Sequence, residues 1–491
     1  MMKAEAVVSK SQFVMATGNI SDSPSTPYQE TLKPRIDLAT MFRLGLFQMG
    51  LGIMSLLTLG VINRVMIEEL RVPALIAAGA IAMHQFVSPT RIWFGQMSDS
   101  KPLWGHHRSG YVWIGAALFT TISFIAVQIV WQLGSSLEAT GWSQTTYLWA
   151  GVLALAFGIY GLALSASSTP FAALLVDVSD EDNRSKLVSI VWSMLMVGII
   201  VGAIVSSGLL REISLDTPIE QLQASVNRLF LIVPAIVLVL TGIATVGVEK
   251  KYSRFGNRSN PGNRDDQIGL GQALRVLTAS RQTGIFFTFL LVMSISLFMQ
   301  DAVMEPYGGE VFRMQISETT QLNAFFGMGT LIGIASTGFL VVPRLGKQNT
   351  TKLGCICAAV CLGLIIMAGF TEKPEMLMGS LLLYGLASGI ITTGAISLML
   401  DLTAAETAGT FIGAWGLAQA IARGLSTVSG GAVLDLGRLL FGVPVLSYAL
   451  VFATQAAGMI LAVVLLRRVN IHEFRENAKD AIAAVMAGEL D

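Results

Sequence analysis

The sequence predicts an all-α integral membrane protein whose helices fall into two sets of six. Three observations predict it. The 491-residue chain is 53% hydrophobic and only 13% charged, about half the ~25% charge of soluble proteins, and its mean hydropathy is +0.65. Its apolar residues come in runs of roughly 20–25, the length that crosses a ~30 Å hydrocarbon layer at about 1.5 Å per residue. A polar, basic stretch at 249–283, containing KKYSRFGNRSNPGNRDDQ, splits those runs six and six.

Twelve spans are expected, at about 41–66, 73–96, 109–133, 145–170, 187–209, 228–248, 284–304, 321–342, 353–371, 376–400, 409–430 and 447–466. The implied organisation is an N-terminal tail (1–40), a first six-helix half (41–248), a central loop (249–283), a second six-helix half (284–466) and a C-terminal tail (467–491). SDSPSTP at 21–27 marks the first tail as disordered, and the tail has no apolar core of a secretory signal. Lys and Arg set the orientation. The loops on the side of the two tails and the central loop carry 23, the opposite loops 6, so the positive-inside bias places both termini in the cytoplasm.

The two halves read as repeats. DVSDED at Asp177 precedes the fifth span and DLTAAE at Asp401 the eleventh. Ser179 with Asp182, and Thr403 with Glu406, have capping-box spacing, in which a hydroxyl and a carboxylate satisfy free N–H groups at a helix start. Two six-helix halves related about the membrane normal is the architecture of the major facilitator superfamily. Small residues four apart, Gly198–Gly202–Ser206, Gly329–Gly333 and Gly416–Ala420–Gly424, are expected to let helices approach closely. SASSTP at 165–170 is expected to form a polar, kink-prone end of the fourth span. Cys355, Cys357 and Cys361 share one apolar run and read as small packing residues rather than metal ligands.

Charges at the ends of apolar helices cost free energy and ask for a reason. The seventh span runs into FMQDAVMEPYGGEVFR, Phe298–Arg313. Asp301 and Glu305 are expected one turn apart on one face, with Pro306 stopping the helix and Gly308–Gly309 turning the chain. The first span ends in NRVMIEEL, with Asn63, Arg64, Glu68 and Glu69. Both stretches are expected at the non-cytoplasmic mouth of one vestibule. There Arg64 pairs with Asp301 or Glu305 in at least one conformation, or else locally with Glu68. Between the second and third spans, RIWFGQMSDSKPLWGHHRSGYVWIG supplies Arg91, Gly95, Asp99 and Arg108. Asp99 is expected to pair with basic groups at a cytoplasmic seam between the halves.

Enzyme signatures are absent: no Walker loop, dinucleotide fingerprint, H-E-x-x-H or nucleophile elbow. Zero formal charge gives no field for nucleic acid. A non-catalytic membrane protein is expected.

Four stretches carry a family resemblance: LGVINRVMIEEL (59–70), SPTRIWFGQMSDSKPLWGHHRSGYVWIG (88–115), FMQDAVMEPYGGEVF (298–312) and GAWGLAQAIARG (413–424). They resemble the PucC/LhaA family, the bacteriochlorophyll-delivery branch of the major facilitator superfamily. The resemblance spans roughly 40–470, and His106–His107 stand where that family usually has a more basic pair. It implies a factor that delivers or holds chlorophyll or bacteriochlorophyll, or apoproteins, while light-harvesting or photosystem complexes are assembled. The implied partners are light-harvesting or high-light-inducible-type single-helix proteins and photosystem or reaction-centre subunits. The implied location is a thylakoid, another photosynthetic membrane or a bacterial inner membrane. The candidate pigment contacts are His84 and its neighbour Gln85 in the second span, and Trp415 and Arg423, eight residues apart in the eleventh. The alternatives are a secondary transporter of a small solute, with Asp301, Glu305 or Arg64 as coupling groups, and a pigment-free scaffold for partner helices.

Overall fold

The computed structural model describes residues 34–211, 213, 217–253, 281–402 and 408–469. Every long element in it is a helix. The first group comprises α1 (Leu38–Ser55), α2 (Ala74–Phe86), α3 (Arg91–Ser100), α4 (Ser109–Thr140), α5 (Gln144–Val178), α6 (Glu181–Leu209), α7 (Ile219–Thr245) and the short α8 (Val248–Tyr252). The second comprises α9 (Arg281–Phe298), the short α10 (Met304–Phe312), α11 (Ile316–Ser336), α12 (Lys347–Thr371), α13 (Pro374–Leu402), α14 (Ala408–Leu440) and α15 (Pro444–Arg467). Helix occupies each of the twelve expected runs. Among the described residues nine helices are long and apolar enough to cross a membrane; the other three runs fall on α2–α3, α11 and α14.

Local chemistry sets the helix ends. Asp37 accepts from the Thr40 N–H at 3.2 Å to start α1, and Ser143 caps α5 in the same way. Gly141, at φ 62°, closes α4 in a conformation that costs a glycine little. The capping box at α6 is displaced by one residue from expectation: Asp180 is the N-cap, and the Asn183 side chain accepts from the Asp180 N–H at 2.9 Å. Ser179 turns back to the Val176 carbonyl instead. The matching box at Thr403–Glu406 lies outside the described residues. SASSTP is not a helix end either. α5 runs through Pro170 to Val178, and the Ser167 hydroxyl donates to the Val112 carbonyl of α4 at 3.1 Å. Neighbouring helices re-satisfy the polar groups that an intramembrane proline disturbs.

Small residues set the closest approaches, as expected. A Cβ at Gly198 of α6 would meet the Met49 carbonyl of α1, and one at Gly52 would meet Leu195 O. Gly329 and Gly333 of α11 lie against Leu382 O and Leu386 O of α13 in the same manner. Gly424 of α14 lies under the Phe86 ring of α2, while the Gly416 side of that row lies outside the described side chains. Within the first group α1 packs on α6 and α7, and α4 on α5 and α7; within the second, α13 packs on α11 and α12, and α15 on α9 and α12. Two long pairs join the groups, α2 with α14 and α6 with α11.

The orientation is checked by reporters fused after Asn257 and after Lys373. The basic bias predicts opposite sides, and the same side at both positions would overturn the span order. Lys373 suits the outer position because it is exposed beyond the α12 terminus. Gly309, in the other acidic stretch, is buried inside α10.

Candidate functional site

The two acidic mouths meet, but not as a single-face pair. α9 ends at Phe298, a 3-10 turn covers Met299–Ala302, and a new helix, α10, starts at Met304. Asp301 and Glu305 therefore sit on different elements, which corrects the one-face expectation. Pro306 does not stop a helix: it occupies the first turn of α10, where no intrahelical N–H bond is lost. Gly308 and Gly309 lie inside α10, and Arg313, at φ 54°, ends it.

Two π-helical turns, Leu56–Ile62 and Val65–Glu69, flank Asn63 and Arg64 and carry α1 through to Glu69. Such widened turns reorient side chains and occur often at functional sites. Asn63 donates to the Ala302 carbonyl at 2.5 Å. Arg64 is fully buried. Its guanidinium donates to Thr319 Oγ1 and, at 3.0 Å, to the Met314 carbonyl, both on the second group. Its Nε lies 2.9 Å from Glu68 Oε2, and its Nη2 lies 3.9 Å from Glu69 Oε1. Here the arginine pairs locally with Glu68 and bridges to neutral acceptors across the seam. Among the described residues no ion pair joins it to Asp301 or Glu305. Glu305 is buried and accepts from Asn323 Nδ2 at 2.5 Å.

Each buried carboxylate rests on a glycine of the other group. A Cβ at Gly60 would collide with the Glu305 carboxylate, and one at Gly309 with that of Glu68. Gly309→Ala should destabilise the protein by about 1–3 kcal/mol, the usual cost of overpacking. Glu68→Ala in the same molecule should relieve part of that loss, read from thermal unfolding of the detergent-solubilised protein. Additive losses would mean that the glycine is not there to accommodate the acid. Asp435 of α14 completes the seam, its oxygens accepting from the Ala74 and Leu75 N–H groups at the start of α2 at 3.0 and 2.8 Å. Arg438 reaches Glu310 of α10 at 2.5 Å.

Deeper in the molecule, His84 is buried against α5, with the Tyr160 ring edge-on at 6.1 Å between centroids. Its Nδ1 meets the Ile81 carbonyl at 2.5 Å and its Nε2 the Gln85 amide nitrogen at 2.9 Å. With Nδ1 as the donor, the imidazole is neutral and its Nε2 lone pair points at Gln85. Arg423 stacks on Phe298 of α9, its guanidinium carbon 4.2 Å from the ring centroid. The side chain of Trp415 lies outside the described residues.

The third constellation is at the α3–α4 loop. Trp104 and Gly105, at φ 52° and 73°, form a tight turn closed by Leu103–His106 backbone bonds of 2.9 and 3.0 Å. The turn returns the chain so that buried Arg108 forks to three acceptors: Asp99 at 2.5 Å, Asp177 at 2.9 Å and Ser98 Oγ at 2.5 Å. Glu249, just inside α8, accepts from the His107, Arg108 and Ser109 N–H groups at 2.6, 3.1 and 2.6 Å, which caps α4. All these named partners belong to the first group.

Glu249, Asp435, Thr319, Asn323 and Gly60 were not singled out by sequence. Asp435 and Glu249 carried a usable signal, each a carboxylate at or near the end of an apolar run.

Searches against known structures fix the fold. The nucleoside transporter NupG aligns with a TM-score of 0.64 at 12% identity, covering 88% of this chain and 98% of that one. An inward-facing bacterial homologue of the iron transporter ferroportin gives 0.64 at 15%, covering 88% and 99%. The D-xylose–proton symporter gives 0.61 at 15%, covering 88% and 97%. The protein is a multi-pass integral membrane protein with the major facilitator fold. Two curated relatives match over nearly their whole length. The Bacteriochlorophyll synthase 44.5 kDa chain of Rhodobacter capsulatus is 30% identical over 91% of this chain and 98% of its own. Protein PucC of the same organism is 27% identical over 89% and 93%. The PUCC protein family model matches residues 61–474, and the chain belongs to that family.

Proposed function

We propose that this protein is a photosynthesis-related assembly factor that holds (bacterio)chlorophyll, and passes it to light-harvesting or photosystem apoproteins, without transforming it. The 41–248 and 284–466 segments act as its two bodies. One observation carries the reading beyond family membership: α14 packs on both α2 and α9, and along it Gly424 lies against Phe86 and Arg423 stacks on Phe298. A planar macrocycle needs such apolar and aromatic walls with few polar groups. The neutral imidazole of His84 supplies a nitrogen of the kind magnesium accepts, once Gln85 releases it.

The test is purification in mild detergent from a pigment-producing host, followed by an absorption spectrum. Pigment recovered unchanged in near-stoichiometric amount supports the reading. Colourless protein from pigment-replete membranes overturns it, and chemical conversion of added pigment would point to catalysis instead. A secondary-transport reading has one observation in its favour. Asn63 Oδ1, Gln300 Oε1 and Glu305 Oε2 are buried at the seam and accept no hydrogen bond from the described residues. It requires proton flux in proteoliposomes that Glu305→Gln abolishes.

A further inference from the structure

Trp104 stands where a large side chain is costly. With Gly105 it lies between Leu103 and His106, whose backbones bond to each other at 2.9 and 3.0 Å, and the two central residues have φ of 52° and 73°. Asn–Gly is the usual pair in such a turn, because the left-handed conformation crowds a bulky side chain. The Trp104 indole is 70% exposed, so burial within the chain does not offset that strain. The turn is also held firmly against the end of α7. The His106 ring lies 5.2 Å from that of Trp113, and Trp113 Nε1 donates to Oγ1 of Thr245, the last residue of α7, at 2.8 Å. Glu249 of α8 takes the His107 and Ser109 N–H groups at 2.6 Å each.

Both ties bring the α7–α8 junction beside the turn, and that junction is basic. Lys250 and Lys251 are exposed on α8, and Lys101 is exposed just before the turn. Arg43 of α1 reaches the same junction, its guanidinium donating to the Ile243 and Val246 carbonyls at 2.6 and 2.5 Å. Two neighbouring acids are already engaged: Glu249 is buried on N–H groups, and Asp99 pairs with Arg108. Asp37, at the start of α1, is the exposed acid set against Lys101, Lys250, Lys251 and Arg43, so the patch is net positive. It lies where two helices fit to cross a membrane, α4 and α7, reach their ends. Val246 and Ile243, 55% and 49% exposed, continue its surface along α7 as apolar.

We infer that Trp104, Lys101, Lys250, Lys251 and Arg43 form a docking site for the headgroup of an anionic phospholipid, with Val246 against the upper part of its chains. An indole is at home in the headgroup layer, and basic groups at that level attract negatively charged lipid. A soluble partner would have no use for apolar surface that runs on into the hydrocarbon zone. The lipid contact offsets the strain at Trp104, and the fixed turn spares the indole the entropy of being ordered on binding. The site does not depend on the pigment.

The experiment reconstitutes the full-length protein in phosphatidylcholine vesicles that carry a minor fraction of brominated phosphatidylglycerol or of brominated phosphatidylcholine. Bromine quenches only nearby indoles, and the emission lost in Trp104→Phe isolates the share of Trp104 among the eight tryptophans. The anionic lipid should quench Trp104 at a fraction roughly tenfold or more below that needed with the neutral one. Lys250→Gln combined with Lys251→Gln should erase most of that difference, since each basic group near an anionic surface is worth about fivefold. Lys250→Arg combined with Lys251→Arg should keep it, which separates lost charge from misfolding. Equal quenching by the two lipids in the wild type overturns the site and leaves Trp104 an ordinary interfacial residue. Quenching of Trp104 by acrylamide in the water, and by neither lipid, also overturns it and turns the patch toward a soluble partner. Loss of the preference on adding inorganic phosphate at constant ionic strength overturns the lipid and assigns the patch to a free anion.

Discussion

Replacing Arg64 by alanine should cost about 3–5 kcal/mol, the usual result of removing one member of a buried ion pair. The side chain is fully buried and answers Glu68, Thr319 and the Met314 carbonyl together. Without it Glu68 keeps a buried charge packed against Gly309, and two acceptors on the second group lose their donor. Thermal unfolding in detergent measures the loss, and quantification in membranes should show reduced accumulation. Arg64→Lys should recover only part, because an ammonium cannot fork to acceptors on opposite sides. A loss below about 0.5 kcal/mol, typical of surface positions, would show that the seam does not depend on this residue. Double-mutant cycles then identify its partner. Arg64 with Glu68 should couple by about 0.5–3 kcal/mol, whereas Arg64 with Asp301 should be additive within about 0.5 kcal/mol. Strong coupling to Asp301 would instead reveal a second conformation in which the vestibule pairing forms.

Arg108→Ala should produce a loss of similar size, about 3–5 kcal/mol, for a related reason. The guanidinium is the shared centre of Asp99, Asp177 and Ser98, and its removal takes a charged partner from buried Asp177. Asp99→Asn should be far milder, about 1 kcal/mol or less, because Asp99 is the more exposed partner, at 35% against 10% for Asp177. Unfolding of the two variants side by side gives the order. If Asp99→Asn is as damaging as Arg108→Ala, then Asp99 rather than Asp177 is the main partner of the arginine. If both are neutral, the loop is only a solvated connection.

The chain's class was written in its sequence. Runs of apolar residues long enough to cross a bilayer have few other uses, so helices appear in all twelve expected stretches. Glycines four apart at Gly198 and Gly329 announced close helix contacts correctly, because spacing along a helix already fixes which residues share a face. The acidic stretches at Arg64–Glu68 and Asp301–Glu305 were legible as unusual, since charge in an apolar context is costly whatever surrounds it.

What sequence left undecided was partnership. Whether Arg64 meets Glu68 or Glu305 depends on two π-helical turns and on the break between α9 and α10. Pro306 and the Gly308–Gly309 pair suggested a stop and a turn. Their place within α10 is decided by packing against the end of α1 and by the polar bonds that Glu305 and Tyr307 make with Asn323 and Ile365. Glu249 capping α4 across 140 residues and Asp435 capping α2 across about 360 are satisfactions of free N–H groups by distant carboxylates. Local spacing carries no trace of them, because the geometry that brings donor and acceptor together exists only once the helices have packed.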